Sequence, residues 1–299
     1  MKWQGRKKSS NIEDRRGQHP QNFGGGGINP LLLGPLLKIL FSKTGLVIVG
    51  VLLLFSFLTG TNPLSLIAQF TGGGNLTSSV SAPYQPTAEE ERMAEFTAVV
   101  LADTEDVWNQ LMPGYREPIL VLFSGQVNSA CGFASAASGP FYCPADEKVY
   151  IDLSFFRDMG KKLGAHGEFA WAYVIAHEVG HHVQKLNGTL AQVQSKRGKI
   201  PEAEYNRLMV RLELQADFYA GLWAHHTHRI KGVLEPGDLE EALNAAASVG
   251  DDRLQQKATG RIIPDSFTHG TSEQRARWFK RGFDFGDMDM GDTFNASKL

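Results

Sequence analysis

The chain predicts an α+β fold, a mainly helical core with a small β-sheet, preceded by one N-terminal transmembrane helix. Three observations predict it. Two long stretches, "FAWAYVIAHEVGHHVQ" and "YNRLMVRLELQADFYAGLWAHH", carry apolar residues at helical spacing. Only two short runs, Ile119–Phe123 and residues 148–152, read as strands. Residues 44–60, "TGLVIVGVLLLFSFLTG", contain no charge and are mostly aliphatic.

The N-terminal segment 1–43 is basic. Eight Lys/Arg stand against Glu13 and Asp14, a net +6 that leaves −8 for the rest of a chain of net charge −2. Basic residues before an apolar run and acidic ones after it predict a cytoplasmic N-terminus and a domain outside the inner membrane, periplasmic or extracellular. The anchor is set at 44–62, where neighbouring uncharged residues bring the run near the roughly 20 needed for a span. A cleaved signal peptide fits less well, because the run begins some forty residues in and no small-x-small site follows closely. The basic residues are expected to set orientation and to bind anionic lipid head groups. Nucleic acid is not an expected partner, since the folded part is acidic. Residues 63–86, rich in Gly, Ser and Thr, read as a flexible linker.

The domain is placed at 87–285. Thr87 with Glu90 forms a capping box for a helix to about Met112. The first strand follows. Cys131 and Cys143 flank a Gly/Ala/Ser-rich loop and could form a disulfide if the domain is exported; free thiols are the cytosolic alternative. After the second strand comes a helix over "SFFRDMGKKL", then the two long helices. Asp238 with Glu241 is expected to cap a further helix ending near Gly250, and Thr271 with Gln274 a last one. The tail 286–299 is acidic and is expected to be disordered.

The chemistry lies in His177-Glu178-Val179-Gly180-His181. On a helix the two histidines are one turn apart and can reach one metal ion, with Glu178 beside them to hold a water. Ala170, Tyr173, Val174, His177, Glu178 and His181 share a core-facing stripe, where unpartnered polar groups would be costly. Gly180 would allow another backbone to approach. His182 points off the shared face and is expected to be exposed or hydrogen-bonded. On the second helix Glu213 and Asp217 fall on the apolar stripe with Met209, Leu212, Ala216 and Ala220. Pairing of Glu213 with Arg211 or Arg207 is the ordinary alternative. Beside the histidine helix, Glu213 becomes a third ligand and Asp217 the acceptor that orients an imidazole. His225, His226 and His228, at a helix end, are expected to interact with the dipole rather than a metal.

HEVGH followed by ELQAD resembles the gluzincin arrangement. Together with "CGFASAASGPFYCPADEKVYID", "THGTSEQRARWF" and the anchor, the chain resembles the bacterial putative neutral zinc metallopeptidases from the anchor to about residue 285. The resemblance implies a zincin-like fold and a Zn2+ peptidase acting on peptide or protein, with His177, His181 and Glu213 as ligands and Glu178 as base. It implies that the Cys131–Cys143 loop borders a substrate cleft, an ordinary surface loop being the other reading. It also suggests that His269 donates to the oxyanion, positioned by Arg275; a capping or core histidine is the alternative. Related stretches often carry Pro where Gly270 stands. Two other functions share these residues: a membrane-anchored scaffold with a structural zinc, and a zinc amidase acting on cell-wall amides. No feature sets an oligomeric state.

Overall fold

Thr87 accepts the Glu90 N–H at 3.2 Å and Glu90 accepts the Thr87 N–H at 2.8 Å, so a capping box opens α1, Ala88–Leu111. The computed structural model describes residues 1–18 and 84–299, which belong to one folded unit. After α1 come β2 (Ile119–Phe123), the hairpin of β3 (Gln126–Ser129) and β4 (Gly132–Ser135), β5 (Phe141–Cys143) and β6 (Lys148–Asp152). Then follow α2 (Ser154–Asp158) with a π-turn over Met159–Leu163, α3 (Glu168–Leu186), α4 (Thr189–Gln194), α5 (Glu202–Lys231), α6 (Asp238–Ser248), α7 (Asp251–Thr259) and α8 (Ser272–Phe285). The α+β class is thus observed.

The main sheet has the order β1-β2-β6-β5, with β1 (Ile12–Asp14) parallel to β2, β2 parallel to β6, and β5 antiparallel to β6. Both faces of β2 are covered. Leu120 and Leu122 enter the main core, while Val121 and Phe123 enter a second cluster with Val127, Cys143 and Tyr150. A strand buried on both faces reads as a continuous apolar run, as Ile119–Phe123 does.

On the other side of the core, α5 lies between α3 and α8. A Cβ at Gly180 would stand 3.1 Å from the Ala216 carbonyl, and one at Gly221 only 1.9 Å from that of Phe279. Gly282 answers from α8, where a Cβ would lie 2.1 Å from the Phe218 carbonyl. Side-chain-free positions on three helices therefore set how closely α5 approaches its neighbours.

The two ends depart from the sequence expectation. Residues 1–18 are not a segment apart from the domain; they supply β1 and bury Trp3, whose Nε1 donates to Glu168 at the start of α3. Several of their charges are paired within the fold. Arg6 pairs with Asp103, Lys7 with Asp106, Lys8 with Glu95, and Arg16 with Asp14 and Glu91. The expected arrangement, with N-terminus and domain on opposite membrane faces, therefore conflicts with this sheet.

The tail is ordered too, against expectation. Met288–Gly291 forms a 3₁₀ turn, and Thr293 is fully buried. Arg211 donates to the Thr293 and Ala296 carbonyls and Gln215 to that of Gly291. The tail docks by having its backbone carbonyls satisfied from α5, which composition does not reveal. The Thr271–Gln274 box is present at α8, whereas α6 starts at Gly237, and Asp238 instead accepts the Glu235 N–H. The proposed anchor at 44–62 and the linker at 63–83 lie outside the described residues. Among those described, no helix is long and apolar enough to cross a membrane.

Candidate active site

The apolar stripe of α3 turns His177 and His181 toward α5, and Gly180 lets α5 come close enough for Glu213 to meet them. Glu213 Oε2 lies 3.3 Å from His177 Nε2, and Oε1 lies 3.5 Å from His181 Nε2. Tetrahedral zinc with bonds of about 2.0–2.1 Å would hold its ligand atoms roughly 3.3 Å apart, so this donor set fits the ion. Among the described residues, His177, His181 and Glu213 form the one group of three potential ligands whose atoms converge.

Each imidazole is oriented through its other nitrogen. His177 Nδ1 donates to Asp217 Oδ1 at 2.9 Å, and His181 Nδ1 donates to Gln184 Oε1 at 2.9 Å. Gln184 is fixed in turn by donating to the Leu212 carbonyl and to Gln215. These bonds leave both Nε2 atoms to ligate. Asp217 is fully buried and accepts from Tyr173 Oη and, in a fork, from Arg275 Nε and Nη2 at 2.9 Å each. Arg275 thus holds Asp217, not His269 as the sequence suggested.

The charges follow from this packing. Burial works against a charged His177, but Asp217 and Glu213 outweigh it and lift its pKa to about 9. His181 is raised by the same balance, with Glu213 the main opposing influence. Glu213 is held well below the usual carboxylate range despite its burial, by His181 and His177. The three converging side chains thus stabilise positive charge at one point, which a divalent cation would supply in place of protons.

Glu178 is buried and lines, with the three ligands, a cleft of about 420 Å³. His269 lines it from the far side. Its Nδ1 stands 3.3 Å from Asp251 Oδ1, while Asp251 Oδ2 accepts the backbone N–H groups of Thr268, His269 and Gly270. Asp251 raises the pKa of His269. Gly270 has φ +90°, which proline cannot adopt, so its departure from the related stretches follows from the backbone. Sequence reasoning missed Asp251 and Gln184. The position of Gln184 three residues after His181 is a usable signal; Asp251 has none, being eighteen residues from the histidine it holds.

Cys131 and Cys143 are joined in a disulfide. It ties the β3–β4 turn to β5, whose Phe141 and Tyr142 line the cleft. His182, fully buried, donates Nε2 to the Arg116 carbonyl and accepts from Tyr142 Oη at 2.9 Å, linking β5 to α3. The other histidine group is taken up by backbone. His225 donates to the Phe283 carbonyl, His226 to that of Gly286, and His228 accepts the Leu234 N–H. Arg211 and Arg207 turn to Thr293 and Asp265 rather than to Glu213.

Two imidazoles from one helix, a carboxylate from a second and an acid beside the first imidazole make a HExxH-type group that could hold a metal ion, opening on a cleft. The profile of the family described as "Putative neutral zinc metallopeptidase" matches residues 1–294, and the chain belongs to that family. It is 49% identical over 301 residues to the protein YpfJ of Escherichia coli (strain K12), covering 99% of this chain and all of that one. To the protein Rv2575 of Mycobacterium tuberculosis (strain H37Rv) it is 46% identical over 223 residues, 71% of this chain and 74% of that one. No solved structure matches.

Proposed function

We propose that the chain is a zinc-dependent endopeptidase, with His177, His181 and Glu213 holding the ion and Glu178 as general base. The observation that carries this reading is the convergence of three ligand atoms beside Glu178 in the cleft, two of the three residues buried and His181 half-buried. Bound there, zinc would lower the pKa of a water and polarise the scissile carbonyl. Glu178 takes the proton from the attacking water and delivers it to the leaving amine. Asp217, held by Arg275 and Tyr173, fixes His177; Gln184 fixes His181. His269, whose protonated form Asp251 favours, donates to the developing oxyanion. β5 ends the sheet order, so an extended substrate can pair with its outer edge. A purely structural zinc would call for a fourth protein ligand, and among the described residues no other His, Cys, Asp or Glu joins the three. A zincin-like fold accords with this placement of helices and edge strand.

For location we propose a membrane-associated protein whose folded unit faces an oxidising compartment. The charge-free run 44–60 and the disulfide support this.

The deciding experiment is Glu178→Gln in the zinc-loaded protein. Zinc content by elemental analysis should be unchanged while peptide hydrolysis falls by about 10²–10⁴-fold. Undiminished hydrolysis removes Glu178 from the mechanism.

A further inference from the structure

We infer that this site, taken as a peptidase, cuts within polypeptides beside a bulky apolar residue and reads neither chain end. The inference rests on the function proposed above and names its substrate class. Part of the cleft lining is apolar. Val174 stands one turn before Glu178 on α3, Phe155 comes from α2, and Val249 and Leu254 come from the start of the α7 region. Phe155 is seated against the loop before β5, its ring 3.6 Å from where a Cβ on Gly139 would be. Leu254 is 37% exposed, a large apolar side chain left facing water at the mouth of a catalytic cleft. A substrate side chain laid against Phe155, Val174 and Leu254 would remove that surface from water together with its own.

The charged groups of the cleft each have a task, His269 at the oxyanion in the function proposed above and the rest as follows. Arg275 is its one Lys or Arg among the described residues. It is only 4% exposed, and its Nε and Nη2 are given to Asp217 and Tyr173. No guanidinium or ammonium is therefore left to clasp a terminal carboxylate, the contact an enzyme needs to remove residues from the C-terminal end. The two acids are Glu178 and Glu213. One is the base and the other faces the imidazoles, so neither is free to pair with a terminal ammonium. An unpaired chain end brought into this cleft would lose its hydration without a partner. The same holds for cell-wall peptides, whose free carboxylates would find no Lys or Arg among the described lining residues.

The test uses the full-length, zinc-loaded protein and a peptide mixture prepared with free and with doubly blocked termini. Cut bonds are identified by mass spectrometry. Blocked and free peptides should be cut at rates within a few-fold, and cuts should cluster beside Leu, Ile, Val, Met and Phe. In Leu254→Lys, kcat/KM for apolar sequences should fall about tenfold, and sequences with Asp or Glu at the same position should gain. Leu254 lies at the surface, so this variant should fold, which its unchanged zinc content verifies. Stepwise release from one end, a requirement for free termini, or a cleavage profile unchanged by Leu254→Lys overturns the inference and leaves the peptidase reading standing. Wild-type protein that cuts no peptide, or cutting that survives Glu178→Gln, overturns both.

Discussion

Two groups of histidines sit on neighbouring long helices and end in opposite chemistry. His177 and His181 on α3 face Glu213 and Asp217 across a helix contact made close by Gly180. His225, His226 and His228 near the end of α5 face carbonyls and an N–H, and each is satisfied by backbone alone. Spacing therefore does not make a metal site. What distinguishes α3 is the opposing helix, which brings one carboxylate to the Nε2 side and another to the Nδ1 side. Backbone carbonyls give His225 and His226 neutral partners, which fasten α5 to α8 and its C-terminal end.

The comparison breaks most sharply at Glu213. Glu213→Ala should abolish tight zinc binding and peptide hydrolysis, whereas His225→Ala should leave both intact; zinc measured after dialysis checks the pair. Glu213→Ala protein that keeps stoichiometric zinc would dissolve the distinction. Asp217→Asn should weaken zinc by about 10–100-fold, the range for losing an acceptor behind a ligating imidazole. Competition against a chromogenic chelator measures it, and an unchanged affinity would detach Asp217 from the site. A smaller effect is expected at Asp251, which acts on a histidine outside the ligand set. His269 has a raised pKa, so its donating, protonated form persists to higher pH and is lost as pH climbs through that value. Asp251→Asn removes the largest upward influence, so the alkaline limb of kcat/KM should move to lower pH. A limb that stays in place would count against His269 as the donor. Least of all should happen at His226→Ala, which loses one hydrogen bond and should cost about 1 kcal/mol in urea unfolding, with zinc unaffected.

How legible each part was in the sequence follows from where its partners lie. The α3 and α5 residues could be read because a helix displays its faces locally, and acids or histidines on an apolar stripe signal compensation from elsewhere. Asp217 was readable in kind but not in degree, since the Arg275 fork comes from α8. β1 was not readable. Its three residues are Ile, Glu and Asp, a charged run with no alternation, made a strand by β2 more than a hundred positions on. The docked tail escaped for a similar reason: Gly and Asp signal disorder locally, and the Arg211 and Gln215 side chains that donate to its carbonyls are on α5. Apolar periodicity reports what a segment hides, and it is silent about segments held by their carbonyls.

β1 also says where the first residues of the chain must lie. Ile12, Glu13 and Asp14 stand beside Leu120, Val121 and Leu122, and strands cannot exchange hydrogen bonds through about 30 Å of hydrocarbon. Residues 1–18 therefore keep company with the domain in whatever compartment it occupies, and tags at Met1 and at Leu299 should report the same side.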